Sequence, residues 1–179
     1  NTESIAILIA GNPTPLIANF LLQNGAQGHV VTRVKMAQSS DVMAVIKADG
    51  VYYQHTKNVV VLEDGCSGSD SDAVFQSSMK MRAKLEDKLT EVKAIIVHPM
   101  TTGRSKNNAG DIIAAHFIQN INVSINGKSL LAMQCGTGIS KNPYLTFYLA
   151  RVMLEDKLTL TWQDNQGLTG QGETTVIQG

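Results

Sequence analysis

The chain has 179 residues, and its 15 basic and 15 acidic side chains cancel to a formal net charge of zero. Hydrophobic residues make up 43% of the composition, which is enough for one fair core or two small ones, and we expect two. Lys and Arg form no cluster, which argues against nucleic acid and anionic membranes as partners. The longest apolar runs, residues 5–10 and 59–62, are far shorter than the ~20 residues of a membrane-spanning helix.

Residues 1–65, which we call the first block, contain the two apolar runs and several short segments in which apolar and polar residues alternate. This period of two is typical of half-buried strands. The predicted strands cover residues 5–9, 16–22, 30–36, 42–48 and 51–56, and a last one covers residues 59–62. Asp49 and Gly50 join two of these strands, and this dipeptide favours a tight hairpin because both residues accept positive φ.

Residues 63–72 read Glu-Asp-Gly-Cys-Ser-Gly-Ser-Asp-Ser-Asp and combine a reactive atom with a low tendency to fold. Gly65, Ser67 and Gly68 flank Cys66 and leave the backbone flexible. We therefore predict a mobile thiol arm and linker over residues 66–78. Four carboxylates in this stretch should disfavour the thiolate, so the thiol is expected to react slowly unless a partner activates it.

Residues 79–179, the second block, show the same strand pattern after at most one or two helical turns. The predicted strands cover residues 79–85, 89–97, 115–125, 128–134, 144–149, 158–163 and 168–177. Asn126 and Gly127 give the strongest turn signal of the chain. About seven strands are typical of an immunoglobulin-like sandwich, with Trp162 in or beside its core. The predicted fold class is all-β, with two sandwich domains.

Other residues with reactive side chains are interpreted as structural. Cys135 ends an alternating strand and is expected to behave as a small core residue, without a disulfide to Cys66. His98 and His116 have no carboxylate or cysteine beside them at ligand spacing, so no metal site is expected. His29 and His55 occupy strand positions that look exposed and carry no functional signal.

Motifs in both blocks carry a resemblance to one protein family. In the second block they are VHPMTTGRSK (97–106), AAHFI (114–118), ISKNPYLTF (139–147) and LTWQDN (160–165). These resemble SoxZ, one half of the bacterial sulfur-oxidation carrier SoxYZ. In the first block they are NPTPL (12–16), TRVKMA (32–37), SDVMAV (40–45) and the cysteine arm, which resemble SoxY. The chain therefore resembles SoxY and SoxZ fused into one polypeptide.

The resemblance implies a carrier protein without a cofactor, located in the periplasm, and not an enzyme. In the family, the haem enzyme SoxAX joins thiosulfate oxidatively to the arm cysteine, which corresponds to Cys66. SoxB then releases sulfate by hydrolysis, and a SoxCD-type enzyme oxidises the remaining sulfane sulfur. The resemblance also implies contact between the SoxY-like and SoxZ-like parts within the chain, at a face that the first block leaves open.

The chain departs from the family pattern at the arm. SoxY ends in Gly-Gly-Cys-Gly-Gly at a free C-terminus, whereas residues 64–68 read Asp-Gly-Cys-Ser-Gly and the chain continues. An arm tethered at both ends sweeps a smaller volume. The first block is also expected to be incomplete at its N-terminus, because the family domain starts further upstream. Two alternatives stay open: a fused carrier associated with a quinoprotein dehydrogenase, and a non-covalent immunoglobulin-like binding module.

Overall fold

Twelve β-strands form the regular structure in a computed structural model that describes residues 1–62, 76–107 and 109–179. The strands are β1 (Thr2–Ile9), β2 (Leu16–Leu22), β3 (Ala26–Thr32), β4 (Ser40–Ala48), β5 (Val51–Val59), β6 (Ser78–Glu86), β7 (Leu89–Val97), β8 (Ile118–Ile125), β9 (Lys128–Cys135), β10 (Tyr144–Ala150), β11 (Lys157–Asp164) and β12 (Thr169–Gln178). These ranges contain no helix, so none that could cross a membrane, and the predicted all-β class is confirmed.

In space, hydrogen-bonded neighbouring strands lie in the order β3-β10-β7-β6-β12-β11-β8-β9-β2-β1-β4-β5, and β3 and β5 are at the open ends. Neighbouring strands are antiparallel, except that β12 runs parallel to β6. β12 pairs with β11 over residues 169–175 and with β6 over residues 176–178, so it connects two sheets. The buried faces of both sheets contribute to one core, which gives an immunoglobulin-like β-sandwich arrangement.

Strands of the first block pair with strands of the second block at two places. At the first, which we call the β2–β9 seam, Ala18 lies opposite Cys135 and Leu22 opposite Leu131. At the second, β3 pairs with β10. Phe20 of β2 is 1% exposed and belongs to the same core as buried residues of the second block. The contact between the two blocks that the resemblance implies is therefore present.

Two hairpin turns have the predicted conformation. Asp49 and Gly50 have φ angles of 49° and 77°, and they connect β4 to β5. Asn126 and Gly127 have φ angles of 49° and 76°, and they connect β8 to β9. Two successive residues with positive φ match the right-handed twist of the strands on either side. The sequence predicted both turns correctly because the conformation of each turn depends on its two central residues.

The strand predicted over residues 30–36 is wrong in its position. β3 ends at Thr32, and beyond it Val34 forms only an isolated bridge with Ile139. The Lys35 N–H donates to the Gly138 carbonyl over 2.7 Å, so this segment runs along a loop of the second block. Residues 60–62 likewise lie beyond the end of β5, where a strand was expected. Alternation predicted a strand over residues 30–36 and an apolar run predicted one over residues 59–62, whereas tertiary contacts determined where each strand ends.

Candidate functional site

The predicted arm falls almost entirely outside the described residues. The four arm residues for which a role is predicted all lie there: Cys66, Gly65, Ser67 and Gly68. The described chain stops at Leu62, which is 80% exposed, and resumes at Gln76, two residues before β6. The role of Cys66 therefore stays a prediction.

Cys135 is a free thiol at the end of β9, and it packs against the hydrophobic core. Burial raises the pKa of this thiol to about 12. The thiolate is the nucleophilic form of cysteine, so the protonated Cys135 thiol is a weak nucleophile at neutral pH. The interpretation of Cys135 as a core residue is confirmed.

A cleft of about 550 Å³ lies where the two blocks meet, and we call it the junction cleft. The first block contributes residues 12–14 and 34–37 to its lining, and the second block contributes residues from 99–105 and 137–141. Lys35, Arg104 and Lys141 bring three cationic side chains to it. The described lining residues include no Asp or Glu.

Hydrogen bonds from Asn12 hold the first-block wall of the junction cleft in place. Its amide Nδ2 donates to the Lys35 carbonyl over 2.8 Å, and its Oδ1 accepts from the Ala37 N–H over 2.9 Å. Asn12 is 9% exposed, so these bonds compete little with water. The Lys35 ammonium donates to the Met100 carbonyl, which connects this wall to the second block.

The second-block wall is the loop that follows β7. Thr101 exchanges two backbone hydrogen bonds with His116, of 2.8 and 3.1 Å, and its hydroxyl donates to the Ala114 carbonyl over 2.9 Å. Met100 is fully buried and has a φ angle of 51°, a conformation that few non-glycine residues adopt. Surrounding contacts must therefore hold this turn of the loop in place.

Three polar side chains, His98, His116 and Asp164, form a cluster beside this loop, and we call it the His–Asp–His cluster. His98 and Asp164 are buried, and His116 is partly buried. The Asp164 carboxylate Oδ2 lies 2.7 Å from His116 Nε2 and 3.3 Å from His98 Nε2. The Met100 N–H donates to His98 Nδ1 over 3.2 Å. A backbone N–H can only donate, so His98 Nδ1 is the acceptor and His98 Nε2 carries the proton toward Asp164. The cluster thereby fixes the backbone of Met100 in the cleft wall.

The protonation states of the cluster follow from its surroundings. Burial lowers the pKa of His98, and this outweighs the hydrogen bond to Asp164, which acts in the opposite direction. Burial raises the pKa of Asp164, but the hydrogen bonds it accepts from His116, His98 and two backbone N–H groups outweigh burial and lower it. His98 is therefore neutral and Asp164 is charged at neutral pH.

The His–Asp–His cluster also has the spacing of a metal site, because one ligand atom from each residue lies within 4.8 Å of the others. A metal ligand must present a nitrogen without a proton, whereas His98 Nε2 carries one here. Metal binding would shift that proton to Nδ1, where it would face the Met100 N–H. The hydrogen bonds therefore favour a structural role for the cluster, and the absence of a metal site stays a prediction.

The sequence did not reveal that these residues meet. Asp164 is 66 residues from His98 and 48 from His116, and no spacing rule connects positions so far apart. An isolated bridge between Thr101 and His116 brings His116 next to the loop after β7, and Asp164 reaches it at the end of β11. By contrast, Trp162 is 3% exposed, as expected for a core residue.

Comparison with protein families gives two matches in this chain. The family described as sulphur oxidation protein SoxZ matches residues 79–175, and the family described as sulfur oxidation protein SoxY matches residues 1–66. A comparison with curated proteins gives no match. The two matched ranges follow the first and second blocks, and the junction cleft takes residues from both.

Proposed function

Because this chain belongs to the sulfur-oxidation family SoxZ and carries a SoxY region in front of it, we propose that it is a covalent sulfur carrier. In this proposal, residues 1–65 and 79–179 are the SoxY-like and SoxZ-like units, and residues 66–78 are the arm and linker. Cys66 holds sulfur intermediates derived from thiosulfate. The protein is a substrate-bearing partner of enzymes and catalyses no step itself.

The contrast between the two cysteines of the chain carries this proposal. Cys135 is packed against the core, and its pKa of about 12 keeps it protonated at neutral pH. Cys66 is the other cysteine, and its neighbours in sequence are glycine and serine. A carrier needs a thiol that an enzyme can reach, and Cys135 does not meet that requirement. Cys66 is therefore the proposed attachment site.

The proposed loading step is an oxidation. The Cys66 thiol loses its proton to water, and its sulfur forms an S–S bond with the outer sulfur of thiosulfate. Two electrons are released, and a haem enzyme resembling SoxAX accepts them. A SoxB-like hydrolase then adds water across the bond between the sulfane sulfur and the sulfonate group, releasing sulfate and leaving a persulfide on Cys66. A SoxCD-type enzyme oxidises that sulfane sulfur and takes up its electrons.

The composition of the arm fits delivery into a partner's pocket. Gly65, Ser67 and Gly68 carry small side chains or none, and each extended residue adds roughly 3.3 Å of reach. Nearby carboxylates disfavour the Cys66 thiolate, so activation would fall to basic groups in the partner enzyme. We place the carrier and these partners in the periplasm.

The test is peptide mapping by mass spectrometry after incubation with thiosulfate and the partner haem enzyme. Wild type and Cys135→Ser should both acquire a thiosulfate-derived adduct on the peptide that contains Cys66. Cys66→Ser should acquire none, while its melting temperature stays close to that of wild type.

Each result decides between the proposal and its alternatives. An adduct on Cys66→Ser would show that another residue is the carrier. Unmodified wild-type protein that binds the partner tightly would instead identify a non-covalent binding module.

A further inference from the structure

We propose that the outer face of β6 and β7 is a docking surface for an acidic segment of a partner protein. Lys80, Arg82 and Lys84 alternate along β6 and point away from the core, because the residues between them pack against it. Lys93 of β7 lies opposite Arg82 in the pairing of the two strands. Residues directly opposite each other share one side of a sheet. These four cations therefore lie together, and we call them the basic face.

The basic face is a cluster that the sequence did not reveal. Along β6 the three cations alternate with apolar residues, so they form no continuous charged run. Lys93 joins them only through sheet pairing. The expectation that Lys and Arg form no cluster is therefore wrong for this face. The whole chain is neutral, so a general excess of basic residues does not explain the grouping.

Most of the charge of the basic face is not offset within the described part of the chain. Lys93 Nζ lies 2.7 Å from the Glu91 carboxylate Oε2 and is paired. Lys80, Arg82 and Lys84 form no ion pair with any described residue. Like charges directly opposite each other, such as Arg82 and Lys93, destabilise a sheet. Carboxylates of a bound partner would relieve this repulsion.

The spacing of the cations indicates the kind of anionic partner. Alternate residues of a strand lie about 6.7 Å apart, so Lys80 and Lys84 are separated by about 13 Å along β6. A single small anion cannot contact cations at that separation. An extended acidic segment has the same distance between its own alternate side chains, so its carboxylates can meet successive cations of the face. Such a segment is therefore the occupant to which the geometry points.

The aromatic residues beside the basic face argue against nucleic acid. Tyr144 and Tyr148 of β10 lie on the same side of the sheet, next to β7. The Arg33 guanidinium carbon is 4.9 Å from the centre of the Tyr144 ring, and the His29 ring centre is 4.9 Å from that of Tyr148. Both tyrosine rings are thus already in contact with other side chains. Bases of a single strand would find a poor stacking platform here.

The experiment measures peptide binding to the full chain by fluorescence anisotropy at low ionic strength and at about 0.15 M, where the Debye length is about 8 Å. The main probe is a labelled peptide in which Glu alternates with Ser. A peptide of the same composition with all Glu residues at one end tests the spacing, and a Lys-Ser peptide tests the sign of the charge. We expect saturable binding of the alternating Glu peptide, weaker binding of the grouped one and none of the Lys peptide. Binding should weaken as salt is added.

Matched variants test where the peptide binds. Lys80→Gln and Lys84→Gln should each weaken binding about two- to fivefold, the effect of losing one exposed ion pair. Arg82→Glu should weaken it roughly tenfold, because it also adds a repulsion of similar size. Lys57→Glu makes the same change of net charge on exposed β5 and should leave binding unchanged. Melting temperatures close to that of wild type would show that the variants keep the fold.

Four results would overturn the proposal: no saturable binding, equal binding of the alternating and grouped peptides, equal weakening by Lys57→Glu and Arg82→Glu, or binding of the Lys peptide. Tighter binding of a thymidine oligonucleotide, or of vesicles that contain phosphatidylglycerol, would overturn it too and assign the face to nucleic acid or to a membrane. None of these measurements uses Cys66, so their outcome leaves the proposed carrier function untouched.

Discussion

β2, the first-block strand of the β2–β9 seam, and the β4–β5 hairpin both belong to the first block, yet their environments are opposite. Four of the seven residues of β2 are buried, whereas eight of the nine residues of β5 are exposed. β2 pairs on one side with β9 of the second block, while β5 ends the sheet. The buried residues of β2 thus belong to one core shared with the second block. In the β4–β5 hairpin, which we call the outer hairpin, β5 is held by its pairing with β4 and by the Asp49-Gly50 turn.

The strongest way to break this comparison is Phe20→Ala in the seam. Phe20 is 1% exposed and lies opposite Met133 across the two blocks. Removing its ring should lower the free energy of unfolding by about 3 to 5 kcal/mol, as for other buried aromatic residues. Urea unfolding followed by Trp162 fluorescence measures this, because Trp162 lies in the second block. A loss below about 1 kcal/mol would show that the two blocks are energetically separate.

The His–Asp–His cluster lies in the second block and should make the stability of the fold depend on pH. Burial lowers the pKa of His98, so below about pH 6.5 the unfolded chain takes up a proton that the folded chain refuses. Stability is therefore fully present above that pH and decreases as the pH falls toward the lowered pKa. The lowered pKa of Asp164 adds a further loss of stability at more acidic pH.

His98→Gln should reduce this pH dependence. The Gln amide can still donate to Asp164 but does not titrate, and the substitution should cost about 1 to 3 kcal/mol at neutral pH. Melting temperatures measured between about pH 7.5 and pH 5 should fall less steeply than in wild type. The control is His55→Gln on exposed β5, which should leave the slope unchanged. If melting temperature fell equally steeply with pH in wild type and both variants, His98 would be ruled out as the source of the pH dependence.

The sequence predicted the local features of this fold well. Alternation located β2 and β7 at the observed bounds, and the Asn126-Gly127 dipeptide located the β8–β9 hairpin. Each of these depends on a few consecutive residues. The resemblance to SoxY and SoxZ added what alternation cannot give, namely that the two blocks contact each other.

The candidate site was much less predictable. The junction cleft joins Lys35 to Arg104 and Lys141, and nothing in the sequence pairs these positions. β3 ends early because Val34 pairs with Ile139, a contact across more than one hundred residues. Asp164 reaches His98 only because β11 lies where the sheet order places it. Such contacts follow from strand order, which local patterns leave undetermined.

Substitution of Cys135, at the same seam, should change the free energy of unfolding less than Phe20→Ala does. It lies opposite Ala18 and is half-buried, so Cys135→Ser should cost about 1 kcal/mol because the hydroxyl loses part of its hydration. Cys135→Ala removes the sulfur without adding a polar group and serves as the matched control. In the Cys66→Ser protein, Cys135 is the remaining thiol and should resist alkylation in the native state. Rapid labelling of that protein would contradict the packing described for Cys135.

The smallest expected effect lies in the outer hairpin and completes the comparison with Phe20. Tyr53 is an aromatic residue of β5, but 57% of it is exposed, and it lies opposite Ile46 of β4. Tyr53→Ala therefore removes little buried surface and should change the free energy of unfolding by less than about 0.5 kcal/mol. The same urea titration measures it beside Phe20→Ala. If Tyr53→Ala were as costly as Phe20→Ala, the side chain would have to be buried in solution, and the outer hairpin would need a covering partner.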